Sequence, residues 1–169
     1  GASGEWVESY KQNLIGNVLL VEPNIKSFNQ LVSNYQHDNK FTFKNVVISE
    51  HNEFVDFFTD INSESESSSL ILNNLLKNTD TFISHKIKSV TPNNLFTNFT
   101  PDWLHIDAEG YDGKILLMID DEYLHKLQLN DEIFGTYDTY LKHLYPIHIY
   151  KSDYKIVKFA DKVKDIVCL

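Results

Sequence analysis

The chain contains no arginine: all 15 basic residues are lysine, set against 24 acids, for a formal net charge of −9. A protein that grips a phosphate backbone carries a basic patch. Without a guanidinium there is no bidentate contact to phosphate or guanine. Nucleic acid is therefore not the expected partner, and only the lysines between 151 and 164 point the other way. Cysteine is nearly missing too. The lone Cys168 excludes an intramolecular disulfide, and no Cys/His spacing suggests zinc. There is no apolar run of the roughly 18 residues that a membrane span needs, and no secretory signal. The expectation is a soluble, cytoplasmic protein with no membrane partner. Internal repeats and a full GxGxxG are also absent. What remains, 169 residues with a hydrophobic fraction of 42%, suffices for one domain with a real core.

The most informative stretch present is 103–113, Trp-Leu-His-Ile-Asp-Ala-Glu-Gly-Tyr-Asp-Gly. An apolar run with one histidine ends in Asp107, then Glu109 and Gly110, and a helical pattern follows. In open α/β sheets ligands bind outside the carboxyl ends of the strands, so paired acids there suggest chemistry or binding. The plainer explanation is an acidic first turn that favours the next helix through its dipole. A second segment matches the first. Val18-Leu19-Leu20-Val21 is a short β-type run, and Glu22-Pro23-Asn24 follows at once. Pro23 stops the strand, and Asn24 is placed to cap a helix from Ile25. An acid at the end of the second strand of a nucleotide-binding unit accepts hydrogen bonds from ribose hydroxyls. Gly1-Ala2-Ser3-Gly4 forms a small-residue turn ahead of it, of the kind that lets backbone approach a ligand closely. Glu22 lies 18 residues after Gly4, near the spacing of about 20 expected for this arrangement.

Taken in order, Gly-Ala-Ser-Gly-Glu-Trp, Leu-Leu-Val-Glu-Pro-Asn, Asn-Val-Val-Ile-Ser-Glu (45–50) and Leu-His-Ile-Asp-Ala-Glu-Gly-Tyr-Asp resemble the FkbM family of S-adenosylmethionine-dependent methyltransferases. The resemblance runs over residues 1 to about 120. Ile-Asp-Ala-Glu-Gly is its most specific part, whereas Val-Glu-Pro is shared with many methyltransferases. It implies an α/β fold, a Rossmann-like sheet with helices on both faces. It also implies bound S-adenosylmethionine (SAM) and O-methylation of a hydroxyl on a small molecule or sugar. On this reading Gly1, Ala2, Ser3, Gly4, Glu22, Pro23, Asn45, Val46 and Asp107 line the cofactor, with Asn45 and Val46 bordering the adenine. Asp107 and Glu109 are the catalytic candidates: either acid serves as general base if burial raises its pKa. Methyl transfer from a sulfonium is an in-line displacement, so positioning supplies much of the rate and a base is not always essential.

The pattern along the chain alternates helix and strand: helix 5–13, strand 17–21, helix 25–36 and strand 41–48. A strand at 54–58 is joined to it by a polar turn at 51–53. A Ser/Glu loop at 62–69 reads as mobile. Then come strand 86–90, a helical turn at 93–99, strand 103–107, helix 112–127 capped by Asp112, and helix 131–144. Strands near 147–150, 154–159 and 163–168 close the chain. Two departures from the family stand out. No strand precedes Gly1, and only Leu127-Gln128-Leu129 lies where another strand belongs. The terminal Val163–Leu169 run fits two descriptions. It can be the missing first strand, making the chain a circular permutant in effect, or the usual antiparallel strand near the C-terminus. The antiparallel strand is the expectation.

Other groups carry less. His105, inside its strand, reads as packed or hydrogen-bonded, and His85 as a surface residue. The aromatic fraction reads as core. No metal is expected, because a third ligand beside Asp107 is not evident. The competing function is a methyltransferase-like binding or scaffold domain. A dinucleotide-dependent oxidoreductase shares the Glu22 logic but lacks a hydride-transfer acid.

Overall fold

The computed structural model describes residues 7–8, 16–60, 68–70, 82–99, 101, 103–108, 111–120, 123, 128–129, 155–156 and 166–168. In chain order its elements are β1 (Val18–Val21), α1 (Ile25–Tyr35), β2 (Phe41–Lys44), β3 (Val47–Ile48), β4 (Phe54–Asp60) and β5 (Ser68–Ser69). They continue with β6 (Phe82–Val90), α2 (Pro92–Phe96), β7 (Trp103–His105), α3 (Asp112–Leu117), β8 (Gln128–Leu129), β9 (Lys155–Ile156) and β10 (Ile166–Cys168).

Six of the strands form one sheet in the order β2-β1-β10-β7-β8-β9, and every pairing in it is parallel. Parallel strands are covered on both faces, which is why β1 is apolar throughout and all four of its residues are buried. Leu19 and Val21 join Leu104 and Ile106 in a core with Ile48, Leu95, Phe96, Tyr111, Ile115, Leu116 and Ile119. That cluster fastens α2, α3 and β3 to one face of the sheet. On α1, Tyr35 is buried and stacks on Phe41 of β2 at 4.9 Å. Burial, reinforced by a hydrogen bond to Glu8, pushes its phenol up to about 12.

The other four strands form a second sheet, β3-β6-β4-β5. It reads differently in the sequence because one face meets water. Along β4, Phe57 is buried and Val55 half-buried, while Phe54 and Asp56 are exposed. Asp56 pairs across the ladder with Lys86 at 2.9 Å, which holds its carboxyl below the usual range. Ser89 is fully buried, and its Oγ lies 2.6 Å from the His51 carbonyl and 2.9 Å from that of Glu53. Those contacts tie β6 to the loop before β4.

Several expectations are corrected. The terminal strand is not antiparallel. β10 lies parallel between β1 and β7, with Leu19, Val167 and Leu104 in register. Gln128–Leu129 is a real strand, paired with Trp103–Leu104. The expected strand 41–48 breaks at Asn45–Val46, and its second half enters the other sheet. β6 starts four residues earlier than 86, because Phe82–His85 ladder onto Phe57–Asp60. The expected loop at 62–69 ends in strand: Ser68 and Ser69 pair with Thr59 and Phe58. α3 stops at Leu117, and just beyond it Asp120 donates its N–H to the Asn93 side chain. Its N-cap is Tyr111, not Asp112, and makes no side-chain cap bond. Helix 131–144 and strand 147–150 fall outside the described residues.

Candidate functional site

Three acid- or amide-bearing strand ends meet at the carboxyl edge of the parallel sheet: Glu22 after β1, Asn45 after β2 and Asp107 after β7. β1 and β7 are the two neighbours of β10. At roughly 4.8 Å per strand, their ends stand about 10 Å apart across the end of β10. Connections diverge here as well. The chain runs outward from β1 to β2 on one side and from β7 to β8 and β9 on the other. Such a reversal opens a crevice at the strand ends.

The turn after β1 is built from local hydrogen bonds. Asn24 caps α1, its Oδ1 accepting from Lys26 N at 3.0 Å and Ser27 N at 3.5 Å. Its own N–H donates to Glu22 Oε1 at 2.7 Å, which orients the carboxylate. Glu22 N donates to the Lys44 carbonyl at 3.1 Å and so extends the β1–β2 ladder one residue past the strand. Asn45 completes the turn from the other side: its Nδ2 donates to the carbonyls of Glu22 at 2.8 Å and Pro23 at 3.0 Å. Glu22, Pro23, Asn45 and Val46 are half-buried, and Val46 packs against the core. Asp107 is exposed, and Ala108 behind it is half-buried. Tyr111 N donates to the Ala108 carbonyl at 3.0 Å, closing the turn into α3.

His105 is the last residue of β7, two residues before Asp107. Its register partners are Cys168 and, beyond it, Leu20, so it belongs to the face opposite Leu104 and Ile106. It is 6% exposed, and burial pushes its imidazole down to about 4, against the opposing pull of Asp107. A neutral buried imidazole agrees with the packed reading. His85 is half-buried, set edge-on to the Phe57 ring at 5.6 Å in the second sheet.

Of the residues singled out from sequence, the structure brings Glu22, Pro23, Asn45 and Val46 together and sets Asp107 across β10 from them. Gly1, Ala2, Ser3, Gly4 and Glu109 lie outside the described residues. Sequence reasoning missed the bracing of Glu22 by Lys44, Asn45 and Asn24. An asparagine just after a strand that neighbours an acid-ended strand is the one signal that pointed there. Among the described residues no group of three or more His, Cys, Asp or Glu is placed to hold a metal ion. None of their helices is long and apolar enough to cross a membrane. Comparison of the chain with protein-family models, with curated proteins and with solved structures gave no match.

Proposed function

We propose that the chain is an FkbM-like SAM-dependent O-methyltransferase acting on a hydroxyl of a small molecule or sugar. Its sheet is, on this reading, a Rossmann-like sheet permuted in sequence. The observation that carries the reading is the placement of Glu22 and Asp107 on the strands either side of β10. The doubly wound sheet has the order 3-2-1-4-5-6. The order β2-β1-β10-β7-β8-β9 has the same form once β10 takes first place. Glu22 then ends the second strand, where an acid receives ribose hydroxyls, and Asp107 ends the fourth.

The charges of the edge also favour this ligand. Two carboxylates, in a chain without arginine, suit a cationic molecule that carries no phosphate. A dinucleotide would bring a pyrophosphate to the same edge, which disfavours the oxidoreductase. SAM, when bound, supplies an activated methyl group on a sulfonium. The chain's own part is to bind and to orient. Glu22 accepts from the ribose, and Asp107, exposed after β7, or Glu109 positions or deprotonates the acceptor hydroxyl.

Radiolabelled methyl transfer to a panel of hydroxylated small molecules and sugars tests the activity. Wild type is expected to label at least one acceptor, and Asp107→Asn to lower that rate by roughly 10²–10⁴ with the fold intact. The swap keeps shape and removes charge, so the loss reports electrostatics and not packing. SAM binding with no labelled acceptor would transfer the conclusion to the binding or scaffold domain.

A further inference from the structure

We propose that Asn45 is a positioning residue that acts through Glu22, fixing the turn after β1 so that the carboxylate is ready for a ribose diol. The inference rests on the functional reading above and adds a residue role to it. Asn45 stands where the chain leaves the parallel sheet, between Lys44 at the end of β2 and Val47 at the start of β3. Its amide nitrogen reaches back across 23 residues to the Glu22 carbonyl at 2.8 Å and across 22 to that of Pro23 at 3.0 Å. A carboxamide has two N–H groups, so a single side chain satisfies both carbonyls. Aspartate at this place would offer no donor. The residue before it completes the hold, since the Lys44 carbonyl accepts from Glu22 N at 3.1 Å. The peptides on both sides of Glu22 are thus tied to consecutive residues, Lys44 at the end of β2 and Asn45 just after it. Pro23 fixes its own φ, and Asn24 N holds one carboxylate oxygen at 2.7 Å.

The consequence is a carboxylate with little freedom left to lose on binding. A ligand that hydrogen-bonds it pays less ordering entropy than it would on a loose strand end. Asn45 acts without touching the ribose, so its effect on binding must vanish when the Glu22 carboxylate is gone. An amide that bordered the adenine, or merely held the fold together, would act whether or not Glu22 were present.

A double-mutant cycle on the full chain separates these cases. SAM affinity is measured calorimetrically for wild type, Asn45→Ala, Glu22→Ala and the double variant. Asn45→Ala is expected to weaken SAM by about tenfold in the wild-type background and by less than about twofold in the Glu22→Ala background. Equal factors in the two backgrounds would overturn the proposal while leaving the methyltransferase reading in place. A wild type that binds no SAM would overturn both. Asn45→Asp, close to isosteric, is the second variant should Asn45→Ala fail to fold. Its readout is competition of adenosine and 2′-deoxyadenosine against SAM. The preference for adenosine should shrink toward unity in Asn45→Asp, as in Glu22→Ala. A preference retained at its wild-type value would contradict the role.

Discussion

At the scale of single residues, His105 is a neutral imidazole enclosed by the sheet, and its burial has a cost that pH exposes. Its folded value is pushed down to about 4, whereas an exposed histidine titrates near 6.5. Between those values the unfolded chain binds a proton that the folded chain does not, so stability rises with pH across that window. The contribution is fully present above about pH 6.5 and is lost as pH falls toward 4. Its size is about 3 kcal/mol, an order of magnitude set by the shift. Urea melts of wild type and His105→Leu between pH 4 and 7 check this. The variant should lose most of the acid slope, and parallel pH profiles would contradict the assignment. The residue was legible in part. Its flanking Leu104 and Ile106 marked a buried strand, and packing was the expected role. That it stands level with Cys168 and Leu20 across the sheet is something only the register supplies.

At the scale of elements, the two sheets differ in their patterning. Val18–Val21 is apolar without a break because parallel strands bury both faces, and β4 alternates because one face is wet. The start of α1 was written in Glu22-Pro23-Asn24, and Asn24 caps it as expected. Asn24→Ala should cost about 1 kcal/mol, read as a shift of the urea midpoint with unchanged slope. No change would mean that the backbone N–H groups of Lys26 and Ser27 are satisfied otherwise. The break in 41–48 was not legible, since the run Phe41–Ile48 keeps β character through Asn45. What turns the chain there is a bond from Asn45 to residues more than 20 positions earlier. Composition likewise hid β5. Serines offer nothing to bury, but their backbone pairs with Phe58 and Thr59 as any residue's would.

At the scale of the whole molecule, sheet order is the property least visible in the sequence. A parallel neighbour needs no turn and leaves no local mark. The Val163–Leu169 run announced a core strand, yet nothing in it specified a place between β1 and β7. That place has a mechanical consequence: within the sheet, β10 alone joins the β1–β2 half, which carries Glu22 and Asn45, to the half that carries Asp107. Val167 is in register with Leu19 on one side and Leu104 on the other. Val167→Pro removes a ladder N–H from a central strand and leaves its partner carbonyl unsatisfied, a loss on the order of 2–4 kcal/mol. Chemical denaturation should show a drop of that size or outright failure to fold. Stability within about 0.5 kcal/mol of wild type, the range of an ordinary surface change, would contradict a central β10.

The claim that SAM lies over β10, with its ribose on Glu22, is met head-on by calorimetric titration of SAM into wild type and Glu22→Ala, with NAD as the control ligand. Wild type should bind SAM saturably and give no heat with NAD. Glu22→Ala should weaken SAM by about tenfold to a hundredfold, since hydrogen bonds to a charged group contribute about 1.5–3 kcal/mol each. A folded wild type that takes up no SAM, or a folded Glu22→Ala protein that binds it as tightly as wild type, would contradict the account.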